Sequence, residues 1–381
     1  MIRVLHVVTY MGRGGLETML MNYYRHIDRD KLQFDFLVHR DFEADYDEEI
    51  KKLGGRIYHL PKLNPFSTSY LHQLDSFFKE HKEYSIVHSH LDCMAGIPLK
   101  YAKKNGVPIR IAHAHSSSQT KDSKYCLKLL YKKNIPRYAT DLFACSQSAG
   151  EWMFGNRRFT VMNNAIDSER YSYNKKTSFE MRRYFDIPQD SLVVGHVGRF
   201  APPKNHSFII KVFSDISKQK PNARLLLVGE GELKNEIIEM VTDLGIQNKV
   251  IFTGVRSDIP ELMQAMDVFL FPSNYEGLPV AIIEAQASGL PCIISDKVPI
   301  ECKKTELVRQ VSLSEDISKW AEEVIDSSRC PRYDTSEFIR ESGFDICESS
   351  KVMEQFYLQA YLKAAERGVQ YGSINSIHAN I

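Results

Sequence analysis

Apolar and polar positions follow two alternating rhythms along the chain: short solid apolar runs, and longer stretches with the i, i+3, i+4 spacing of one helical face. Ile2–Thr9 reads as a buried strand and Leu16–Arg25 as the helix after it. Phe34–His39, Arg56–Leu60, Ser85–His90 and Ile109–His113 read as further strands, and Asp141–Cys145 and Phe159–Asn163 as two more. Strands covered on both faces show no polar face, so this alternation predicts βαβ units and a mostly parallel sheet. A polar stretch, Asp167–Ser178, rich in Tyr, Lys and Asn, then interrupts the rhythm. It is read as the boundary between a first domain, residues 1–170, and a second, residues 171–345. There the pattern restarts, with strands at Leu192–Val197, Ala223–Val228, Val250–Thr253, Val268–Phe271 and Pro291–Ile294 and helices at Ser207–Lys218, Glu232–Leu244 and Pro279–Ser288. A last amphipathic helix over Lys351–Glu366 is expected to join the first domain, and residues 368–381 read as a polar tail. The predicted fold class is α/β, two Rossmann-like domains facing each other across a cleft.

Composition narrows the class without changing that picture. The 381 residues are 43% hydrophobic and 25% charged, which excludes a disordered, collagen-like or coiled-coil chain. No apolar run approaches the roughly 18–20 residues that span a bilayer, and the first apolar run ends in glycines, as a strand rather than a signal peptide does. Cys93, Cys126, Cys145, Cys292, Cys302, Cys330 and Cys347 are dispersed, without metal-ligand spacing, and fit reduced thiols in a cytoplasm. Net charge is +1, but residues 1–170 hold 25 Lys and Arg against 19 Asp and Glu, whereas residues 171–381 hold 24 against 29. The basic half also holds ten of the thirteen histidines. It suggests an anionic partner such as a membrane surface or a phosphorylated lipid; no basic–aromatic motif points to nucleic acid.

Four segments carry candidate chemistry. Gly12-Arg13-Gly14-Gly15 follows the first strand and opens a helix, where backbone N–H groups can meet an anion, although a tight turn would use the same glycines. In Gly195-His196-Val197-Gly198-Arg199-Phe200, with Lys204 beyond it, an Arg and a Lys stand at the carboxyl edge of a parallel sheet, where a forked and a point cation suit a diphosphate. Gly229-Glu230-Gly231 repeats the turn after the next strand. The most informative segment is Pro272–Ala285. Pro279 stands near the first helical position, Gly277 and Leu278 offer amides at the positive helix end, and Glu276 lies in the loop. Glu284 falls within a helix among Ala281, Ile282, Ile283, Ala285 and Ala287, where a solvated charge is unexpected and a carboxylate can accept from two ribose hydroxyls.

As a set, the E-x7-E pair Glu276 and Glu284, Gly198-Arg199 with Lys204, and Gly14-Gly15 resemble glycosyltransferase family four, retaining nucleotide-sugar-dependent transferases of the GT-B fold. The resemblance runs from Val4 to about residue 365. Arg13-Gly-Gly-Leu-Glu-Thr, His113-Ala-His115-Ser and Gly289-Leu-Pro-Cys-Ile-Ile-Ser-Asp-Lys-Val-Pro are similar to its exopolysaccharide and capsular-polysaccharide branch. The resemblance implies that Arg199 and Lys204 neutralise the donor diphosphate, that Glu284 holds the ribose, and that Glu276 with the amides of Gly277 and Leu278 addresses the donor sugar. Gly14, Gly15 and Gly198 join the donor site, and the base stacks near Val255. His115 matches the family's active-site histidine; His113 and Gly14 are acceptor-side candidates, with a core role for His113 left open. A UDP-sugar donor, a lipid-linked saccharide acceptor, no cofactor and no required metal are the corresponding expectations. Two departures touch the donor pocket: Asn164-Ala165-Ile166-Asp167 has alanine for the usual glycine, and Glu276-Gly-Leu-Pro replaces the commoner E-G-F-G.

Lys121, Lys124, Lys128, Lys132, Lys133 and Arg137 are interleaved with Tyr125, Leu127, Leu129, Leu130 and Tyr131, the pattern of a basic amphipathic helix able to lie on the inner membrane leaflet. Two alternatives remain on sequence grounds: an inert nucleotide-sugar-binding partner of a transferase, and a GT-B epimerase, for which no convincing carboxylate pair is found.

Overall fold

Each apolar run of the sequence becomes a strand paired in parallel with its neighbours. The computed structural model describes residues 1–117, 125–366 and Gly368. Lys121 and Lys124 lie outside the described residues, as does the polar tail apart from Gly368. The chain divides into two compact units, Met1–Ala165 with the segment from Ile346 onward, and Ile166–Asp345. In the first, β1 (Ile2–Val7), β2 (Leu32–Val38), β3 (Ile57–His59), β4 (Ile86–Ser89), β5 (Ile109–Ala114), β6 (Asp141–Ala144) and β7 (Thr160–Val161) lie in the order β3-β2-β1-β4-β5-β6-β7. In the second, β8 (Val193–Val197), β9 (Arg224–Val228), β10 (Val250–Phe252), β11 (Val268–Phe271), β12 (Cys292–Ser295) and β13 (Val308–Val311) lie in the order β10-β9-β8-β11-β12-β13. Both orders reverse direction once, between β1 and β4 and between β8 and β11. At such a switch point the loops leaving the carboxyl ends part and open a ligand site.

Double burial explains why the strands are so apolar. In β1, Val4 joins a core on one face with Met19, Tyr23, Phe34 and Tyr357, while Leu5 and Val7 join a core on the other with Leu74, Phe78 and Val87. Helix Ile346–Glu366 belongs to the first unit: Tyr357 is buried in its core, and the Glu354 carboxylate accepts from the Asp28 amide at 3.1 Å. It starts five residues before the predicted Lys351, because Ile346 is itself fully buried.

The polar stretch 167–178 is not a linker. The units divide before it, and two of its polar residues are helix N-caps. Asp167 accepts from the Arg170 amide to cap Ser168–Tyr171, and Asn174 accepts from the amides of Lys176 and Thr177 to cap Lys175–Tyr184. Pro279 is the N-cap of helix Val280–Ala287 rather than its first helical residue. Ala165 adopts no positive φ, so alanine fits where the family pattern has glycine.

Candidate functional site

The second unit builds its site from two loops at the β8/β11 switch point. The loop after β8 carries Gly198, Arg199 and the short turn Pro202–Lys204; the loop after β11 carries Pro272 to Pro279. Backbone-directed bonds knit them together: the Asn274 amide donates to the Pro203 carbonyl at 2.8 Å, its side chain to Pro202 at 2.9 Å, and the Asn205 side chain to Pro272 at 3.1 Å. Across this seam the Lys204 ammonium donates to Glu276 Oε1 at 2.7 Å and sits 4.6 Å from the centre of the Phe271 ring. The two side chains are only 21% and 13% exposed. Gly198 makes room for the lysine stem, since a Cβ there would stand 3.4 Å from its Cδ and Cε and 2.8 Å from His196 Nε2. Gly229 takes φ 137°, and a Cβ on it would overlap the carbonyl oxygen of Gly198.

Arg199 behaves differently from Lys204. Its side chain is 71% exposed and paired with Glu232 at 3.0 Å, an ion pair of small worth that leaves the guanidinium free to swing. Gly277 and Leu278 precede the N-cap, so the unpaired N–H groups of the helix itself belong to Val280 and Ala281, which sequence reasoning did not single out. Val255 is exposed in the loop after β10, which is tied to the β9 loop by the Gly229 amide donating to the Gly254 carbonyl at 2.9 Å.

Glu284 sits on that helix with one carboxylate oxygen taking the Tyr171 hydroxyl at 2.7 Å. Burial raises its pKa, and the tyrosine hydrogen bond opposes the rise. Tyr171 was not foreseen; it stands 113 positions away and fixes the carboxylate's orientation. Glu284→Gln is expected to weaken nucleoside-diphosphate binding roughly ten- to a hundredfold, the worth of about 1.5–3 kcal/mol of charged hydrogen bonds. Calorimetry with free nucleoside diphosphate checks it, and unchanged affinity removes Glu284 from the site.

In the first unit, Gly14 is the N-cap of helix Gly15–His26 at φ −104°, and a Cβ on Gly15 would meet nothing within 4 Å. The backbone does not require glycine at either position, and the space in front of Gly15 is open. Glu17, in the first turn, is pushed up to about 7 by burial.

His113 and His115 belong to a larger cluster. His6 on β1, His88 on β4 and His113 on β5 lie on one face of the sheet, with His90 and His115 just past the ends of β4 and β5. His6 and His88 are paired in register. Nε2 of His115 lies 2.9 Å from Nδ1 of His90, and Nε2 of His90 lies 3.0 Å from Nδ1 of His6. Separately, Nδ1 of His113 lies 3.2 Å from Nε2 of His88, whose Nδ1 meets the Tyr357 hydroxyl at 2.6 Å. Burial pushes His6 and His115 down to about 3, and the other three well below the usual imidazole range. The rings are therefore neutral at pH 7. In each of two triads, His6–His88–His90 and His90–His113–His115, one ring nitrogen per residue lies within 4.8 Å of the others. Linear spacing rules miss such groups because three strands contribute.

Asp92 is a further residue that sequence reasoning passed over. Its φ of 45° is strained for a non-glycine residue. The half-buried carboxylate accepts from the His115 amide at 2.8 Å and the Ser116 hydroxyl at 3.0 Å, so it holds the turn that carries His115.

Comparisons with known proteins agree with this geometry. Two family models match, Glycosyltransferase Family 4 over residues 13–170 and Glycosyl transferases group 1 over residues 178–305. The chain is 40% identical over 371 residues to a Bacillus subtilis protein described as a glycosyltransferase, EpsF, with 93% of this chain and 96% of that one covered. It is 28% identical over 226 residues to the UDP-Gal:alpha-D-GlcNAc-diphosphoundecaprenol alpha-1,3-galactosyltransferase of Escherichia coli, covering 56% of this chain and 58% of that one. Among solved structures, HepE of Anabaena in complex with UDP-glucose superposes with a TM-score of 0.72 at 17% identity, over 96% of this chain and 99% of the other. That likeness establishes a shared fold, two parallel-sheet Rossmann-like domains of the GT-B type. With a family model on each half and a relative of this identity along nearly its whole length, the chain belongs to the family 4, group 1 glycosyltransferases.

Proposed function

We propose that this glycosyltransferase moves a sugar, with retention of configuration, from a UDP-sugar to a lipid-linked repeat unit of an exopolysaccharide or capsule at the inner membrane surface. The observation that carries the reading is the Lys204–Glu276 pair at the β8/β11 switch point, beside Arg199 and the N-terminus of the helix bearing Glu284. A donor diphosphate there would compete with Glu276 for the lysine, freeing the carboxylate to meet the sugar, while Glu284 takes ribose hydroxyls. Fixed cations then stabilise the charge gained by the departing diphosphate without requiring a metal. The complex of HepE with UDP-glucose and the diphosphoundecaprenol acceptor of the E. coli relative support the donor and acceptor classes. The polysaccharide branch comes from the motifs around Arg13, His113 and Gly289. Screening UDP- and GDP-sugars for thermal stabilisation tests the donor, since a ligand bound to the native state raises its melting temperature. Preference for a GDP-sugar, or no transfer with any stabilising donor, contradicts the reading.

The described part of the basic helix, Tyr125–Tyr138, supports membrane docking. Ile135 is its one fully buried side chain among the described residues, and Leu130 is 60% exposed. Lys132 is a correction to the basic face, because its ammonium lies 4.1 Å from the Trp152 ring centre and is engaged within the unit. Lys124→Gln, Lys128→Gln and Lys133→Gln together are expected to weaken sedimentation with anionic vesicles roughly a hundredfold, at about 1 kcal/mol per basic residue. Transfer to a soluble acceptor analogue should persist. Unchanged vesicle binding, or equal loss of both, would make the helix structural.

A further inference from the structure

The first unit has an opening at the other edge of its sheet. Only Phe143 and Ala144 of β6 face partners on β7, so Asp141 and Leu142 run past the end of that short strand. β6 and β7 enter the sheet here, at the amino ends of the parallel strands and opposite the edge that carries His115. The gap is a cavity of about 430 Å³, a size within the range of about 300–1,000 Å³ that small ligands occupy. Pro136, Ala139, Leu142 and Phe159 give it an apolar lining, and Arg157 and Arg158 line it too. Two glycines hold the arginines there. Helix Gln147–Phe154 ends at Gly155, whose φ of 62° glycine takes freely. A Cβ on Gly150 would overlap the Phe159 ring, so glycine lets that ring seat on the helix, 6.1 Å from the centre of Phe154. The exposed stretch from Gly155 to Arg158 is thus pinned at both ends.

Neither guanidinium has an ion pair or a hydrogen bond among the described residues. Asp141 is the one acidic residue in the lining, and its charge acts on Arg110 of the neighbouring strand, where burial lowers the pKa and Asp141 opposes the drop. The Thr140 hydroxyl is engaged as well, with the amide and the carbonyl of Arg110 at 2.9 and 3.1 Å. Three guanidinium groups against one carboxylate leave an excess of positive charge. One arginine fork meets two oxygens of an anion, and two adjacent forks offer more donors than a single carboxylate can use. A phosphoryl group has the oxygens to use them, and the apolar lining suits carbon attached to it. We propose that this cavity binds a phosphate ester, its phosphoryl oxygens on Arg157 and Arg158 and its carbon portion against Pro136, Leu142 and Phe159. Two sources supply that chemistry: the headgroup of an anionic phospholipid, and a soluble sugar or polyol phosphate. Pro136 lies in the last turn of helix Tyr125–Tyr138, so a headgroup bound here would extend the surface that the basic helix offers.

Calorimetry with glycerol 3-phosphate, and sedimentation with vesicles of phosphatidylglycerol in phosphatidylcholine, test the site on the full chain. Arg157→Gln with Arg158→Gln should weaken binding of at least one probe tenfold or more. Loss with the vesicles alone assigns the lipid headgroup; loss with glycerol 3-phosphate assigns a soluble ester. Arg183→Gln with Lys220→Gln removes the same charge from two exposed positions of the second unit, and should leave both probes within twofold of the parent. Ala139→Phe narrows the cavity while keeping both arginines, and should weaken the same probe tenfold. The arginine positions are exposed, so their variants decide the matter even if Ala139→Phe fails to fold. Absence of binding by both probes, equal losses in the two double variants, or parental binding by a folded Ala139→Phe protein each overturn the proposal. None of these outcomes touches the glycosyl-transfer reading, no step of which uses this edge of the sheet. Lys128 and Lys133 remain in place throughout, so the basic helix is judged by its own variants.

Discussion

Lys204→Ala is expected to lower kcat a hundredfold or more while shifting the melting temperature only slightly. Two losses combine at this position. The variant removes a cation held in a partly buried seam, pinned by Gly198 beneath it and the Phe271 ring beside it. It also takes from the Glu276 carboxylate, 2.7 Å away in the intact pair, the ammonium that offsets its charge toward a diphosphate. Removing one fixed group that stabilises developing charge typically costs about 100- to 1,000-fold in kcat, or about 2.7–4 kcal/mol. Lys204→Arg should recover part of this, because the charge returns with the wrong shape for the space above Gly198. Arg199→Ala should cost only about tenfold, since Arg199 is largely exposed and its pairing with Glu232 is not rigid. Steady-state rates with a saturating donor separate the cases. Turnover within threefold of the parent in Lys204→Ala would take the lysine out of the reaction.

This arrangement was legible in the sequence to the extent that it is local. The strands could be read because burial on both faces makes them solid apolar runs, and Gly198-Arg199, Lys204 and Glu276 could be placed because each directly follows such a run. Helix Ile317–Ser327 was passed over, although Trp320, Ala321, Val324 and Ile325 mark its buried face with ordinary helical spacing. Strand β13 was harder: it lies at the sheet edge, with Arg309 and Gln310 exposed between two buried valines, so it shows no apolar run. Asp167 and Asn174 misled because helix caps and linkers draw on the same polar residues. What sequence could not show is coupling at a distance. Tyr171 meets Glu284 only when two helices pack, and the histidine cluster exists only because parallel register sets His6 beside His88. The repeated His-x-His doublets at 88–90 and 113–115 were the available signal, and only the second was used.

Acidification from pH 7 to pH 5 is expected to destabilise the protein steeply, and the same buried rings are the cause. His6, His88, His90 and His113 are each no more than 3% exposed. Burial holds His6 down at about 3 and the other three well below the ordinary value. In the unfolded chain each returns to about 6.5. Below that pH the unfolded state binds protons that the native state refuses, so stability is fully present above about 6.5 and is lost as the pH falls toward the native values. The loss is about 1.4 kcal/mol per pH unit for a ring that stays neutral throughout, roughly 2 kcal/mol between pH 7 and 5 for His6, and the other three rings act in the same direction. Native proteins are typically stable by about 5–15 kcal/mol, so a few such rings weigh heavily, with Glu17, raised to about 7, opposing them in part. Urea unfolding at half-unit steps from pH 7.5 to 5 should show the midpoint falling steeply below pH 6.5. His113→Leu removes one refused proton, and its stability should depend on pH less steeply by one proton near pH 5.5, whatever it costs in packing at pH 7. A flat profile between pH 7 and 5 would mean that the native cluster takes up protons as readily as the unfolded chain, and the rings would then not be held neutral by burial.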